Sequence, residues 1–238
     1  MEPTLLLVHG AFAGAWVWEP ALDPLRRRGV RVEAIERLPS AGTDPSALGD
    51  LGDDAEHVRA RVDQIAGPVA LCGHSYGGMV ITQLADHPAV THSVYLAALW
   101  PGEGQSASDL LGGALSNWVV DRGDGSLAVS EDAEAVRQAL LADLDPDRAA
   151  DAHARMVLQS AASAFAPSGG QARLHPTTYV LCSEDKVLPL ESQEAMAAAA
   201  DHTVRLYSAH CPQLSSPEQL ADVLAETVVG SPSGRPVA

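Results

Sequence analysis

The chain has 238 residues, of which 46% are hydrophobic, 19% charged and only 4% aromatic. Fifteen basic residues against 31 acidic ones leave a net charge of −16, which sets long-range repulsion against nucleic acid and anionic lipid surfaces. The length suffices for a sizeable core, and so few aromatic rings require that core to be built mainly from Ala, Val and Leu. Three cysteines, Cys72, Cys182 and Cys211, are too few and too odd in number for a disulfide framework. The start lacks a basic n-region, and no apolar run approaches the ~18 residues of a membrane span. The expectation is a soluble, cytoplasmic protein whose partner is a small-molecule substrate, with no nucleic acid and no membrane involved.

In chain order, short β-like runs alternate with longer helical ones, the pattern of a mostly parallel, doubly wound α/β sheet. Strands are predicted at 4–9, 30–35, 69–73, 93–97, 177–182 and 204–208, several of them wholly apolar, as strands covered on both faces should be. Helices are predicted near 15–28, 53–65, 76–87, 190–200 and 217–228; the last opens with Ser216, Pro217 and Glu218, a capping serine, proline and first-turn acid. The alternation breaks between Trp100 and His175, where glycine-rich turns precede amphipathic helices predicted at 130–144 and 147–164. This stretch reads as a cap over the carboxyl edge of the sheet, where ligands of open α/β sheets bind. The organisation is therefore a core of 1–99 and 176–229, a cap insertion of 100–175, and a disordered tail of 230–238.

The strongest local signal is Gly73-His74-Ser75-Tyr76-Gly77, a G-x-S-x-G directly after a buried strand and directly before a helical run. A serine on so sharp a turn needs neighbours without side chains; Gly73 and Gly77 provide that space, and Gly78 lets the helix approach the sheet. Such a serine is a nucleophile only with a base, and the base needs an orienting acid. His210 follows the last strand and precedes the last helix, and Asp185 follows the strand before, with the adjacent Glu184 as its competitor. The loop His9-Gly10-Ala11-Phe12-Ala13-Gly14 after the first strand can supply an N–H from Ala11, to act with that of Tyr76 as an oxyanion hole. Phe12, Trp16, Trp100 and Trp118 are the aromatic candidates for a substrate pocket. No metal-ligand spacing is found, and no cofactor is required.

These segments resemble the α/β-hydrolase superfamily, and more narrowly its small branch of plant methyl-ester esterases, hydroxynitrile lyases and bacterial esterase relatives. The resemblance rests on LVHGAFAGAWVW from Leu7, GHSYGGM from Gly73, LAALWP from Leu96, YVLCSEDKVLP from Tyr179 and HCPQLSSPEQL from His210. It implies an α/β-hydrolase fold with Ser75 as nucleophile, His210 as base, Asp185 as its partner, and Ala11 and Tyr76 as oxyanion donors. Lyases of this branch carry a threonine in the first loop and a lysine after the histidine; here Gly10 or Ala11, and Cys211, occupy those places. The implied activity is that of a cofactor-free serine hydrolase, and the apolar residues of the insertion and first loop, with the net charge of −16, point to a small or medium, uncharged carboxylic ester. A tailoring enzyme for thioester cleavage, cyclisation or lactone opening, and a ligand receptor with little turnover, are the alternatives.

Overall fold

A computed structural model describes residues 2–169 and 173–229; the tail expected to be disordered, 230–238, lies outside them. In chain order the strands are β1 Thr4–Val8, β2 Arg31–Ala34, β3 Ala41–Gly42, β4 Val69–His74, β5 Val90–Leu96, β6 Val119–Asp121, β7 Ser126–Val129, β8 Leu158–Ser160, β9 Thr177–Cys182 and β10 His202–Leu206. The helices used below are α1 Glu19–Arg27, α2 Leu51–Gln64 and α3 Gly77–Thr82.

Six strands form a parallel sheet in the order β10-β9-β5-β4-β1-β2. β1, β4 and β9 are buried along their whole length, whereas the edge strands β2 and β10 are partly exposed. That is why Leu5–Val8, Val69–Cys72 and Tyr179–Cys182 read as unbroken apolar runs. Side chains alternate across the sheet. Leu5, Leu7, Cys72 and Leu96 join one apolar layer with Trp18 and Leu25 around α1 and Leu220 and Leu224 of the C-terminal helix. Leu6, Val8, Leu71 and Tyr95 join the other with Val58 and Val62 of α2 and Met79 and Ile81 of α3. Each fully buried Leu or Val here contributes roughly 1.5–3 kcal/mol relative to exposure.

The order places the site. From β1 the chain runs outward to β2, then returns to lay β4 on the other side of β1. Loops leaving β1 and β4 therefore diverge at the carboxyl edge, the switch point where open α/β sheets bind ligands.

Between β5 and β9 the chain departs from the predicted pair of helices. Ala133–Leu140 is helical, capped by the Asp132 side chain on the N–H groups of Glu134 and Ala135. The single helix expected over 147–164 is instead a helix at Pro146–Ala154, the strand β8, and a short helix at Ala161–Phe165. β8 sits in a second, four-stranded antiparallel sheet in the order β3-β8-β7-β6. Its partner β3 lies far upstream, outside the insertion, so local periodicity could not reveal the pairing. Val136, Leu140, Leu141 and Leu144 join the same apolar layer as β1 and β4, which fastens the cap to the core.

Candidate active site

Ser75 stands between β4 and α3 with φ +53° and is partly exposed, while its neighbours from Leu71 to Val80 are buried. A positive φ on a non-glycine residue costs of order 1–3 kcal/mol and persists only where its surroundings over-determine it. Here they do. Ser75 N–H donates to Leu96 O at 3.2 Å, and Ser75 O accepts from Gly78 and Leu99 N–H, both at 3.0 Å. The glycines are needed for contact with backbone. A Cβ on Gly73 would lie 2.5 Å from Gly77 O, one on Gly77 2.6 Å from Val8 O, and one on Gly78 2.3 Å from Leu99 O.

His210 and Asp185 are both buried, and His210 Nδ1–H donates to Asp185 Oδ2 at 2.7 Å. The other carboxylate oxygen accepts the N–H groups of Val187 at 2.7 Å and Leu188 at 3.0 Å. This leaves Nε2 of the imidazole as the acceptor. Glu184, the competing acid, is exposed. Gln193, itself buried, ties the acid loop to β9: it exchanges hydrogen bonds with both backbone groups of Cys182 and donates from Nε2 to Leu188 O at 2.7 Å. Two bonds brace the histidine loop from the cap: Asp143 accepts the Ala209 N–H at 2.9 Å, and Arg148 Nη2 donates to Leu214 O at 2.6 Å.

The first loop lies against the elbow so closely that a Cβ on Gly10 would fall 2.9 Å from Ser75 Cβ. His9 Nδ1–H donates to Gly10 O at 2.8 Å, and His9 Nε2 accepts the Leu38 N–H at 3.1 Å. A trans peptide points its N–H opposite to its C=O. Holding Gly10 O on His9 therefore turns the Ala11 N–H away from His9, and holding Ser75 O on Gly78 and Leu99 does the same for the Tyr76 N–H. Among the described residues, neither N–H is engaged by another backbone or side-chain group.

Two cavities meet here, and Ala11, Phe12, Ser75 and Trp118 line both. The smaller reaches past Trp16, His74 and Leu140 to His210 and Cys211. The larger runs under the cap between Tyr76, Leu99, Leu127 and Leu188 and opens beside Leu111, Leu115 and Phe165. Among the described residues, no Lys, Arg, Asp or Glu lines either. Phe12 and Trp118 meet edge to face, with centroids 5.8 Å apart, where the two cavities join.

Residues 5–223 match the model of the alpha/beta hydrolase family. The chain belongs to that family. It is 29% identical over 241 residues to a probable hydrolase of a Phoma species, covering 94% of this chain and 98% of the relative. It is 24% identical over 248 residues to the polyneuridine aldehyde esterase of Rauvolfia serpentina, covering 93% and 94%. A solved pyrethroid hydrolase from Sphingobium faniae shares the fold, with a TM-score of 0.81 at 23% identity over 95% of this chain and 97% of that one.

In this hydrolase the sequence-nominated Ser75, His210, Asp185, Ala11 and Tyr76 lie at one carboxyl edge, and Phe12, Trp16 and Trp118 line a cavity that contains Ser75. Trp100 does not. It stacks on Tyr95 at 4.1 Å and carries the Arg173 guanidinium 4.5 Å above its ring, within the layer on the opposite face of the sheet. Cys211 is a buried thiol pushed well above its ordinary pKa by burial and then by the Asp185 and Asp143 charges, so it is no nucleophile. His74 is also structural. Burial drives its pKa well down, so it stays neutral, donating from Nε2 to His210 O at 2.8 Å while Nδ1 accepts from Gln213. Among the described residues no group of three or more His, Cys, Asp and Glu is placed to hold a metal, and no helix is long and apolar enough to cross a membrane.

Proposed function

We propose that this hydrolase is a serine esterase that cleaves small or medium, uncharged carboxylic esters through an acyl-enzyme. The observation that carries the reading is the convergence of the strained Ser75 and the buried His210–Asp185 pair on one cavity. His210 Nε2 takes the Ser75 hydroxyl proton as Oγ bonds to the acyl carbon, and the carbonyl electrons move onto oxygen. The Ala11 and Tyr76 N–H groups hold that oxyanion, each donor being worth about 3 kcal/mol of transition-state stabilisation. As the oxyanion collapses, the bond to the alkoxy oxygen breaks and His210 returns the proton to the leaving alcohol. Water, deprotonated by the same imidazole, then attacks the acyl-enzyme and releases the acid and Ser75.

The uncharged lining of both cavities and the net charge of −16 support neutral substrates over anionic ones. The three buried, unpaired thiols fit a reducing, cytoplasmic setting. The test is covalent labelling by a fluorophosphonate, run beside a panel of esters, thioesters and lactones. Wild-type protein should label and turn over neutral esters best, and Ser75→Ala should lose both. Labelling that persists in Ser75→Ala, or a panel led by thioesters or lactones, would overturn the reading.

A further inference from the structure

α2 opens with the run Asp50-Leu51-Gly52-Asp53-Asp54. Two of these acids suffice to start the helix: Asp50 accepts the N–H groups of Gly52 and Asp53, and the Asp53 side chain accepts the Asp50 N–H, a reciprocal capping box. Asp54 has a different task. It is fully buried and has no basic partner among the described residues, and such a buried carboxyl is costly unless its hydrogen bonds are satisfied. Its Oδ1 accepts the Ser40 N–H at 2.8 Å, and its Oδ2 accepts the Ser40 hydroxyl at 2.5 Å and the Tyr76 phenol at 2.7 Å. Burial pushes both the Asp54 carboxyl and the Tyr76 phenol upward, so the phenol keeps the proton it donates.

The same chain of bonds continues to the first loop. Gln159 of β8 is buried and donates from Nε2 to Ser40 Oγ at 2.8 Å and Ser163 Oγ at 2.7 Å, while its Oε1 accepts the Phe12 N–H at 3.2 Å. Phe12 is the second strained residue at the site, with φ +62°, and its C=O accepts the Val157 N–H of the cap at 2.9 Å. One continuous network, Phe12–Gln159–Ser40–Asp54–Tyr76, therefore grips both loops. At one end it holds the residue after Ala11, and at the other the side chain of Tyr76.

We infer that Asp54, Ser40 and Gln159 are positioning residues that set the spacing of the Ala11 and Tyr76 N–H groups and so tune the oxyanion hole. The inference rests on the serine-esterase reading of those two groups. An oxyanion hole works only if its donors sit about 3 Å from where the charge develops. Ala11 and Tyr76 leave different strands, and the network is a side-chain tie between their loops, independent of the backbone bonds that shape each loop alone. The cap is then more than a cover, because β8 supplies the amide that fixes the first loop.

Such a role predicts loss in kcat with little change in KM, since ground-state binding in the cavities does not use the oxyanion. Tyr76→Phe keeps the ring and removes the Asp54 bond; Gln159→Met keeps the length and removes the Phe12 bond. Each should lower kcat about 10-fold or more while KM stays within about twofold. Affinity for a trifluoromethyl ketone, which adds the Ser75 oxygen to form an oxyanion, should fall by the same factor as kcat/KM. Affinity for the non-electrophilic methyl ketone should not move. Adding Asp54→Ala to Tyr76→Phe should cost less than the product of the single losses, because both changes remove the Tyr76–Asp54 bond. Thermal melts identify folded variants, and any one folded member of the pair Tyr76→Phe and Gln159→Met decides the matter. Unchanged kcat in a folded variant, or a loss that falls equally on both ketones, overturns the inference. Fluorophosphonate labelling of Ser75→Ala in the same series tests the underlying reading separately, because that result does not depend on the network.

Discussion

Replacing Asp185 by Asn changes one atom in the acid loop, and the surrounding bonds dictate which way the new amide must face. Oδ1 accepts two backbone N–H groups, from Val187 at 2.7 Å and Leu188 at 3.0 Å. If the amide nitrogen took that position, it would face two donors, each left unpaired at a cost of ~1–3 kcal/mol. The amide must therefore place its oxygen at Oδ1 and its NH₂ at Oδ2, opposite His210 Nδ1, 2.7 Å away in the wild type. Two donors cannot share that line, so the imidazole proton moves to Nε2 and the ring can no longer accept the Ser75 proton. The expected loss is about 10⁴-fold in kcat, or about 5 kcal/mol of barrier, with KM little changed. Glu184→Gln, altering an exposed neighbour, should stay within about twofold. Steady-state kinetics on a neutral aryl ester separates kcat from KM for both variants. An Asp185→Asn enzyme retaining more than about a tenth of wild-type kcat, or a ranking with Glu184→Gln the worse, would refute this account of the acid.

Other expectations concern packing, pH and substrate. Gly78→Ala puts a Cβ 2.3 Å from Leu99 O and 2.8 Å from Ala98 Cβ, so it should cost ~3 kcal/mol or more and most of the activity. Gly29→Ala, with open space around it and φ +80°, should lower stability by only about 1 kcal/mol, and thermal melts compare the two. Burial holds His9 down to about 4 and His74 well below its ordinary value, so both fold as neutral rings. Their folded pKa values lie below the unfolded ~6.5; stability is therefore complete above ~6.5 and is lost as pH falls from there towards 4, by roughly 3 kcal/mol for His9. A Tm that stays flat across that window would contradict the assignment of neutral, buried rings. With esters graded by acyl length, kcat/KM should peak at small or medium neutral groups; a steady gain through long chains, or a preference for anionic esters, would contradict the reading of the cavities.

How much is legible in the sequence depends on the range of the interactions involved. The elbow and the first loop are local devices: glycines at fixed offsets from a buried strand, readable because the steric reason for them lies within a few residues. Asp185 is legible, with Glu184 as its rival, because it lies in the loop after the apolar end of β9, and His210 because it lies between the half-polar edge strand β10 and the last helix. β8 reads as part of a helix because its extended form is imposed by pairing with Ala41 and Gly42 on one side and Ser126 and Leu127 on the other, residues distant in the chain. Trp100 is misassigned to the pocket because a tryptophan just beyond a central strand is apolar toward either face, and only Tyr95 and Tyr179 stacked beside it decide which. The network through Asp54 and Gln159 escapes sequence reasoning for a related cause, since buried polar residues carry no periodic signal. One hint is present: three acids in the run Asp50–Asp54, where a capping box needs two.

The central claim is that turnover passes through an acyl group on Ser75. Rapid mixing with a p-nitrophenyl ester, then acid quench, intact-mass measurement and peptide mapping, observes that group directly. A mass increase equal to one acyl group is expected, located on Ser75 and absent from Ser75→Ala. Quenching at low pH, where deacylation is slow, should leave the adduct on the same residue. An acyl group mapped elsewhere, or ester turnover by Ser75→Ala at the wild-type rate, would contradict it.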